Sequence, residues 1–480
     1  MAEGGQAKYR PYPAYKPSGV EWLGDIPEGW EARKLKFSAE NMPSNIDKKT
    51  KPGEQAVKLC NYTDVYYSEV IEASMNFMSA SATREQVEKF TLLAGDTIIT
   101  KDSEDPNDIA IPTFVKDDLA GVVCGYHLSI IRPIEAEFGG YIKRCFECSF
   151  ARAYFAVSAN GLTRYGLGTY PLDNAVFPVP SRVEAIKIAA FLDHETLKID
   201  GLIAKQQRLI ALLEEKRQAV ISHAVTKGLD PTAPLRRSGI DWLGDVPAHW
   251  DTRKLNLLLR TRKGIAFKAD DFCDSGVRVA KASDIKNLTF QLSDVFLPPS
   301  FVEKHPKAVL KEGNIVLSTV GSNPSVKNSA VGQVGRVPAM QDGSLLNQNT
   351  VVFDIATEGS NEDYLFAALL TQGYRDHLDL NAHGTANQSS LNVSDMLDFI
   401  VPMPNKSEQA EIARYLQFYS KTLDDLGVSS HLAITLLKER RTALISAAVT
   451  GKIDLRDWQA PDATSDISTQ DIDQNEEALA

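Results

Sequence analysis

At 480 residues the chain exceeds what one hydrophobic core serves, and its length points to two to three domains. Its 43% hydrophobic and 24% charged residues are those of a soluble globular protein, and no apolar run approaches the roughly 18–20 residues of a membrane span. The net charge of −11 excludes a uniformly basic nucleic-acid binder, yet seven of the acids lie between Asp457 and Ala480, a stretch without lysine or arginine. That tail, 456–480, is poor in large apolar residues and reads as disordered. The mildly acidic remainder still has room for a local basic face, which is what phosphate contacts depend on. Cys60, Cys124, Cys145, Cys148 and Cys273 are scattered and odd in number, which predicts a reducing cytoplasm rather than a disulfide framework.

Residues 1–15 have no apolar core of the signal-peptide kind and read as a flexible segment. Next comes SGVEWLGDIPEGWEARKL (18–35), which returns at 238–255 as SGIDWLGDVPAHWDTRKL, with 11 of 18 positions identical. A second repeat pairs EKRQAVISHAVTKGLDP (215–231) with ERRTALISAAVTGKIDL (439–455), with 9 of 17 identical. FPVPSRVEAIKIAAFLD (177–193) corresponds to VPMPNKSEQAEIARYLQ (401–417). The chain is thus one arrangement given twice: an opening motif, a variable block and a long helix. The variable blocks, about 36–176 and 256–400, share only echoes such as LLAGDTIIT (92–100) beside LKEGNIVLST (310–319). Like scaffolds with unlike payloads suggest two similar folds that read different things.

Within the first block TIIT (97–100) and LSIIRP (128–133) read as strands and 141–155 as a helix; in the second, NIVLST (314–319) and NTVVFDI (349–355) read as strands and 362–378 as a helix. Residues 184–226 hold no proline and one glycine, Gly201, with apolar side chains at Ile188, Leu192, Ile199, Leu202, Leu209, Leu213 and Val220. The sevenfold row Leu192, Ile199, Gln206, Leu213, Val220 is a coiled-coil-like seam. In 407–449 the apolar face comprises Ile412, Leu416, Leu423, Leu426, Leu436, Leu437 and Ile445. The better reading pairs the two helices antiparallel, relating the units by a pseudo-twofold axis; in the other, each helix packs on its own block. Trp22, Trp30, Trp242 and Trp250 stand in the repeated scaffold, so their expected role is packing the opening motif against the helices rather than stacking on bases.

Base readout needs donor–acceptor forks: Arg and Lys for guanine, Asn and Gln for adenine. The loop Asn160-Gly161-Leu162-Thr163-Arg164-Tyr165-Gly166 offers a cation, an aromatic ring and small polar groups on a flexible backbone. Its positional counterpart is His383-Gly384-Thr385-Ala386-Asn387-Gln388-Ser389; each lies about 17 residues before a Pro-x-Pro segment. The alternative for both is a glycine-rich connection without contact. Lys101 after TIIT, and Ser322 with Asn323 after NIVLST, are second-tier candidates. Arg84, Lys263, Lys268, Arg278 and Lys281 could each touch phosphate, but a lone surface cation is ordinarily just solvated.

Chemistry of bond making is not indicated. Cys145-x-x-Cys148 lacks the second close pair of a structural zinc site and reads as semi-buried helix packing. No HExxH, no GxxxxGK[ST] and no Asp/Asn-Pro-Pro-aromatic motif occurs. Asn323-Pro324-Ser325 is a poor imitation of the last, and Glu214-Glu215-Lys216 reads as a solvated helix face. The other readings left open are a methyltransferase or nuclease with a degenerate site, and a repeat scaffold that binds proteins.

Together the opening motifs, the Pro-x-Pro segments and the 215–231 and 439–455 repeats resemble specificity subunits of type I restriction–modification systems, over about residues 16–456. The resemblance implies an α+β fold of two mixed α/β target-recognition domains, 16–183 and 228–400, separated by long helices, 184–227 and 401–455. It implies that each domain reads one half of an interrupted, asymmetric double-stranded DNA target. The helices, through residues such as Leu192, Ile199, Leu213, Leu416, Leu423 and Leu437, would set the spacing and dock two modification subunits. Those partners bind S-adenosylmethionine and methylate adenine N6; restriction subunits using ATP and Mg2+ join the same complex. On this reading the chain holds no catalytic residue, metal or cofactor of its own.

Overall fold

The computed structural model describes residues 9–286, 288–322, 329–385 and 388–461. The chain divides into two units, one of residues 1–206 with 432–480 and one of residues 207–431.

The centre of the first unit is β1 (Thr97–Thr100), buried at all four positions. It lies between Leu128–Pro133 and Pro112–Val115, antiparallel to both, in a five-stranded sheet completed by Ala39–Pro43 and Val70–Ile71. Alternate side chains of a strand face opposite ways. Ile98 and Ile130 therefore enter a layer shared with a second sheet that includes Gln55–Cys60 and Leu119–Cys124, while Ile99 and Ile131 face a helical layer. β2 (Asp102–Ser103) follows β1 at once. The helical layer holds α1 (Gly139–Glu147) and α2 (Ser149–Ser158); β3 (Tyr165–Gly166) follows, and then α3 (Arg182–Lys227). The single helix expected over 141–155 is broken at Cys148, which is extended at φ −61° and ψ 143°. A straight rod of 15 residues would run about 22 Å, and the break instead folds Phe155 back onto Phe146, with ring centroids 5.2 Å apart. It also buries Cys145 and Cys148 completely, where half-burial was expected.

The second unit repeats the plan. β4 (Ile315–Ser318) lies between Thr350–Ile355 and Val334–Arg336, with Leu259–Lys263 beyond, all antiparallel. Ile315, Leu317, Val351 and Phe353 face the helical layer, whereas Val316 and Val352 face the other side. β5 (Val320–Gly321) follows β4. α4 (Glu362–Leu369) and α5 (Gln372–Leu380) again replace one expected helix, with Thr371 extended between them at φ −68° and ψ 148°. After them come β6 (His383–Thr385), β7 (Gln388–Ser390) and α6 (Lys406–Val449).

The repeated segments meet each other in space. Glu31–Lys34 of the first opening motif pairs with Val176–Val179, and Asp251–Lys254 of the second pairs with Ile400–Met403. The second Pro-x-Pro segment is therefore strand, and α6 begins after it. In the first unit Ala185, Ile188 and Leu192 of α3 share a core with Ile445, Ala448 and Val449 of α6, and Asp200 pairs with Arg441 at 3.1 Å. In the second, Ile221, Ala224 and Val225 share a core with Ile412, Ala413 and Leu416, and Arg217 donates to Ser420 at 2.7 Å. Numbers rise along one helix as they fall along the other, so the pairing is antiparallel in each unit. Each helix segment also packs on a block, so both readings of the helices hold at once. The seam is as expected at Leu192, Ile199, Leu416 and Leu423, which are buried, and at Leu213 and Leu437, which are half-buried. Leu202, Leu209, Leu426 and Leu436 are exposed, contrary to the expected apolar face. One partner helix covers one stripe, and these four lie off it. No helix among the described residues is long and apolar enough to cross a membrane.

Trp30 and Trp250 roof the helix ends. Gly228 and Gly451 close α3 and α6 in the left-handed conformation, at φ +78° and +70°. A Cβ on Gly228 would stand 3.1 Å from Trp250, and one on Gly451 would stand 3.3 Å from Trp30 and 2.4 Å from Pro27. Trp22 and Trp242 depart from the expected role. Trp22 stacks on Phe150 of α2 at 3.7 Å, and Trp242 stacks on Phe399 at 4.7 Å and lies flat on Gly373 of α5. A strand, Asp25–Pro27 or Asp245–Pro247, separates the two indoles of each motif and sends them to different neighbours. Because a Cβ on Gly373 would sit 2.3 Å from the Trp242 ring, Gly373→Ala is expected to destabilise by about 1–3 kcal/mol. Gly359→Ala, with open space around it, should leave the urea midpoint unchanged; equal midpoints for the two variants would contradict the packing argument.

Candidate nucleic-acid interface

In each unit the central strand runs on into a short strand, and that strand captures the returning loop. β2 pairs antiparallel with β3, Asp102 opposite Gly166 and Ser103 opposite Tyr165. β5 pairs antiparallel with β7, Val320 opposite Ser390 and Gly321 opposite Ser389, and β7 pairs with β6. The anchoring bond is the same in both: Leu167 N donates to Lys101 O at 2.8 Å, and Leu391 N donates to Thr319 O at 2.9 Å. Both leucines are buried. Each loop also has a glycine pressed onto its own return. A Cβ on Gly161 would lie 1.9 Å from the Arg164 carbonyl oxygen, and one on Gly384 would lie 2.2 Å from that of Gln388. Strand pairing thus brings the strand-end segment and the returning loop together in each unit.

In the first unit Asn160, Thr163 and Arg164 are exposed and Tyr165 is half-buried. Asn160 bridges Gly166 through two backbone hydrogen bonds, of 3.0 and 2.9 Å. Arg164 Nη2 and Nε donate to Asp102 Oδ1 at 2.6 and 3.0 Å. His127 Nδ1 lies 2.8 Å from the same oxygen. Lys101 departs from its expected role. Its Nζ donates to the Ser44 carbonyl at 3.0 Å and sits 4.6 Å from the centre of the Tyr126 ring, and burial lowers its pKa. Tyr126 itself is exposed.

Three groups at this site escaped the sequence reading. Asp102 and His127 gain meaning only through their contacts. Tyr62, Tyr66 and Tyr67 form a cluster beside β2: Tyr62 and Tyr66 stack at 5.5 Å, Tyr62 Oη donates to Ser103 Oγ at 3.4 Å, and Tyr67 is exposed. The tyrosine-rich run 62–67 was the available signal. Burial raises the Tyr62 pKa, and the hydrogen bond to Asp108 raises that of Tyr66, so both remain protonated donors.

In the second unit His383, Thr385 and Gln388 are exposed, and His383 Nε2 stands 3.9 Å from Asp395. Asn323 and Asn387 lie outside the described residues. Ser322 accepts at its carbonyl from Ser329 Oγ at 2.6 Å and lines a cleft of about 1480 Å³. Arg375, Gln333, Leu213, Arg217 and Leu423 line the same cleft. Among the described residues no group of three or more His, Cys, Asp or Glu is placed to hold a metal ion.

Residues 247–427 match the family model of the type I restriction modification DNA specificity domain. Similar proteins include the type I restriction enzyme MjaVIII specificity subunit of Methanocaldococcus jannaschii, 25% identical over 58% of this chain and 63% of that one. The EcoKI specificity subunit of Escherichia coli K12 is 22% identical over 72% of this chain and 71% of that one. This chain thus spans a little under two thirds of the first relative and somewhat more of the second. Among solved structures, a chain from work on complex assembly and conformational transition of the type I R-M system superposes with a TM-score of 0.65. That chain is 14% identical, with 89% of this chain and 99% of that one covered, and it supports the fold. Repeated scaffold, unlike loops and these matches agree: the chain carries a type I restriction modification DNA specificity domain over residues 247–427 and is similar to the specificity subunits of type I restriction–modification systems.

Proposed function

We propose that the chain is the DNA sequence-specificity subunit of a type I restriction–modification complex and performs no bond chemistry itself. The observation that carries this is the pair of returning loops anchored alike, by Leu167 on Lys101 and by Leu391 on Thr319, in two like folds whose loop sequences differ. A scaffold kept constant around a variable exposed loop suits two readers of unlike half-sites. Phosphate contacts supply affinity without sequence, so discrimination falls to exposed donors and acceptors in these loops. Two modification subunits dock on the long helices and bring S-adenosylmethionine, and restriction subunits bring ATP and Mg2+.

The test is co-production with the cognate modification subunit and genome-wide mapping of methylated adenines. A bipartite, asymmetric motif is expected. Replacing residues 36–176 with the corresponding block of another specificity subunit should change one half of the motif and leave the other half and the gap intact. Methylation indifferent to that replacement would contradict the assignment.

A further inference from the structure

We infer that Arg164 reads a guanine in one half-site and that Asp102 is the positioning residue that holds it in reading geometry; this rests on the recognition role proposed above. The guanidinium is planar and carries its donors in a fixed fork. Its Nε edge is committed to Asp102, with Nε and Nη2 both on Oδ1, and Nη2 also stands 3.1 Å from His127 Nδ1, so the donors left for a ligand are the two N–H groups of Nη1. Among the described residues Nη1 has no protein partner, and the Arg164 side chain is 54% exposed. Planarity turns the edge that carries Nη1 away from the carboxylate. Asp102 is itself fixed twice, by the pairing of β2 with β3 and by His127 on its carboxylate, which is 14% exposed.

The choice of ligand follows from charge and pattern. A phosphate brought to Arg164 would also meet Asp102, with Glu104, Asp105 and Asp108 on the following segment. The carboxylate that steadies the guanidinium would repel it. A base edge is neutral and incurs no such penalty. Guanine presents two acceptors, O6 and N7, to the major groove, whereas adenine presents one acceptor and one donor. A fork of N–H donors suits the former and clashes with the latter. In the second unit Val320 stands where Asp102 does, at the start of the strand that receives the loop. The device belongs to the first unit alone, so it serves only the half-site that residues 36–176 specify.

The test selects duplexes from a randomised library with the full chain bound to its modification subunit. The parent complex should select a bipartite sequence with a guanine at one position of the first half. Arg164→Lys keeps the charge and removes the fork; it should relax that position alone by about 5- to 150-fold, the value of a bidentate base contact. Asp102→Ala should relax the same position and no other, a pattern that a general loss of stability does not produce, and Asp102→Asn should retain part of the preference. Replacing that guanine with 7-deazaguanine, which lacks the N7 acceptor, should weaken the parent complex and leave Arg164→Ala unaffected. Equal weakening on all sequences, relaxation at another base, or unchanged selection overturns the inference while the bipartite motif stands. A parent complex that selects no bipartite sequence overturns the recognition role itself.

Discussion

Glu147→Ala is expected to lower stability by about 3–5 kcal/mol, as removal of one partner from a buried ion pair does. Glu147 sits within a charge cluster of the first unit that joins Lys143, Arg144, Glu69, Asp193 and Arg441. It accepts from Lys143 at 2.7 Å and Arg144 at 2.6 Å, and both cations are almost wholly buried. Arg144 also reaches Asp193 and Thr196 of α3, and Arg441 of α6 stands 3.8 Å from Glu147. Truncation would remove the one largely buried carboxylate the two cations share and leave Lys143 to Glu69 and Arg144 to Asp193, both of which are more than half exposed. For a unit of this size the loss corresponds to about 6–20 °C in melting midpoint. Scanning calorimetry decides it, with Glu147→Gln as the milder comparison; a shift under about 2 °C for Glu147→Ala would contradict the role.

The same cluster has a pH signature. Burial would raise the Glu69 pKa, but Lys143 and Arg441 beside it outweigh that and hold it at about 2. A carboxylate depressed in the folded state contributes stability above its unfolded pKa of about 4.3 and loses it as pH falls toward the folded value. Stability should therefore decline between about pH 4.5 and 2, and Glu69→Gln should flatten that decline.

Trp250→Ala is expected to cost about 3–5 kcal/mol in the second unit, the range for a fully buried Trp or Phe truncated to Ala. Trp250 is 1% exposed, packs on the end of α3, and donates from Nε1 to Glu408 Oε1 at 2.9 Å. Trp30 is as deeply buried, but its Nε1 has no partner among the described residues. The residue matching Glu408 is Glu184, which instead takes the hydroxyl of Tyr12. The two tryptophans should therefore separate under a milder change. Trp30→Phe should cost little beyond packing, whereas Trp250→Phe also deprives Glu408 of a donor and should cost more. Urea midpoints of the two Phe variants would reveal the asymmetry, and equal losses would contradict it.

Much of the scaffold was legible before any coordinates. Trp30 and Trp250, Gly228 and Gly451, and the Pro-x-Pro segments recur because each unit closes the same core with the same parts, and identical packing demands identical residues. β1 and β4 were legible as apolar runs because both faces of a central strand are buried. The loops 160–166 and 383–389 could be placed by counting back from a constant segment. What chain order could not supply were contacts between distant residues. The breaks at Cys148 and Thr371 arise because a helix must turn to stay on its sheet, which no local propensity encodes. Lys101 follows a strand and looked available; the fold turns it inward onto Ser44. Asp102 looked like one acid among several until strand pairing brought it to Arg164, 62 residues away. Periodicity and repetition register what a segment buries, so sequence alone determined two like scaffolds with unlike loops. Which side chains meet across those loops is set by strand register and by the layers beneath, so only the tertiary structure decided which arginine is held, and by what.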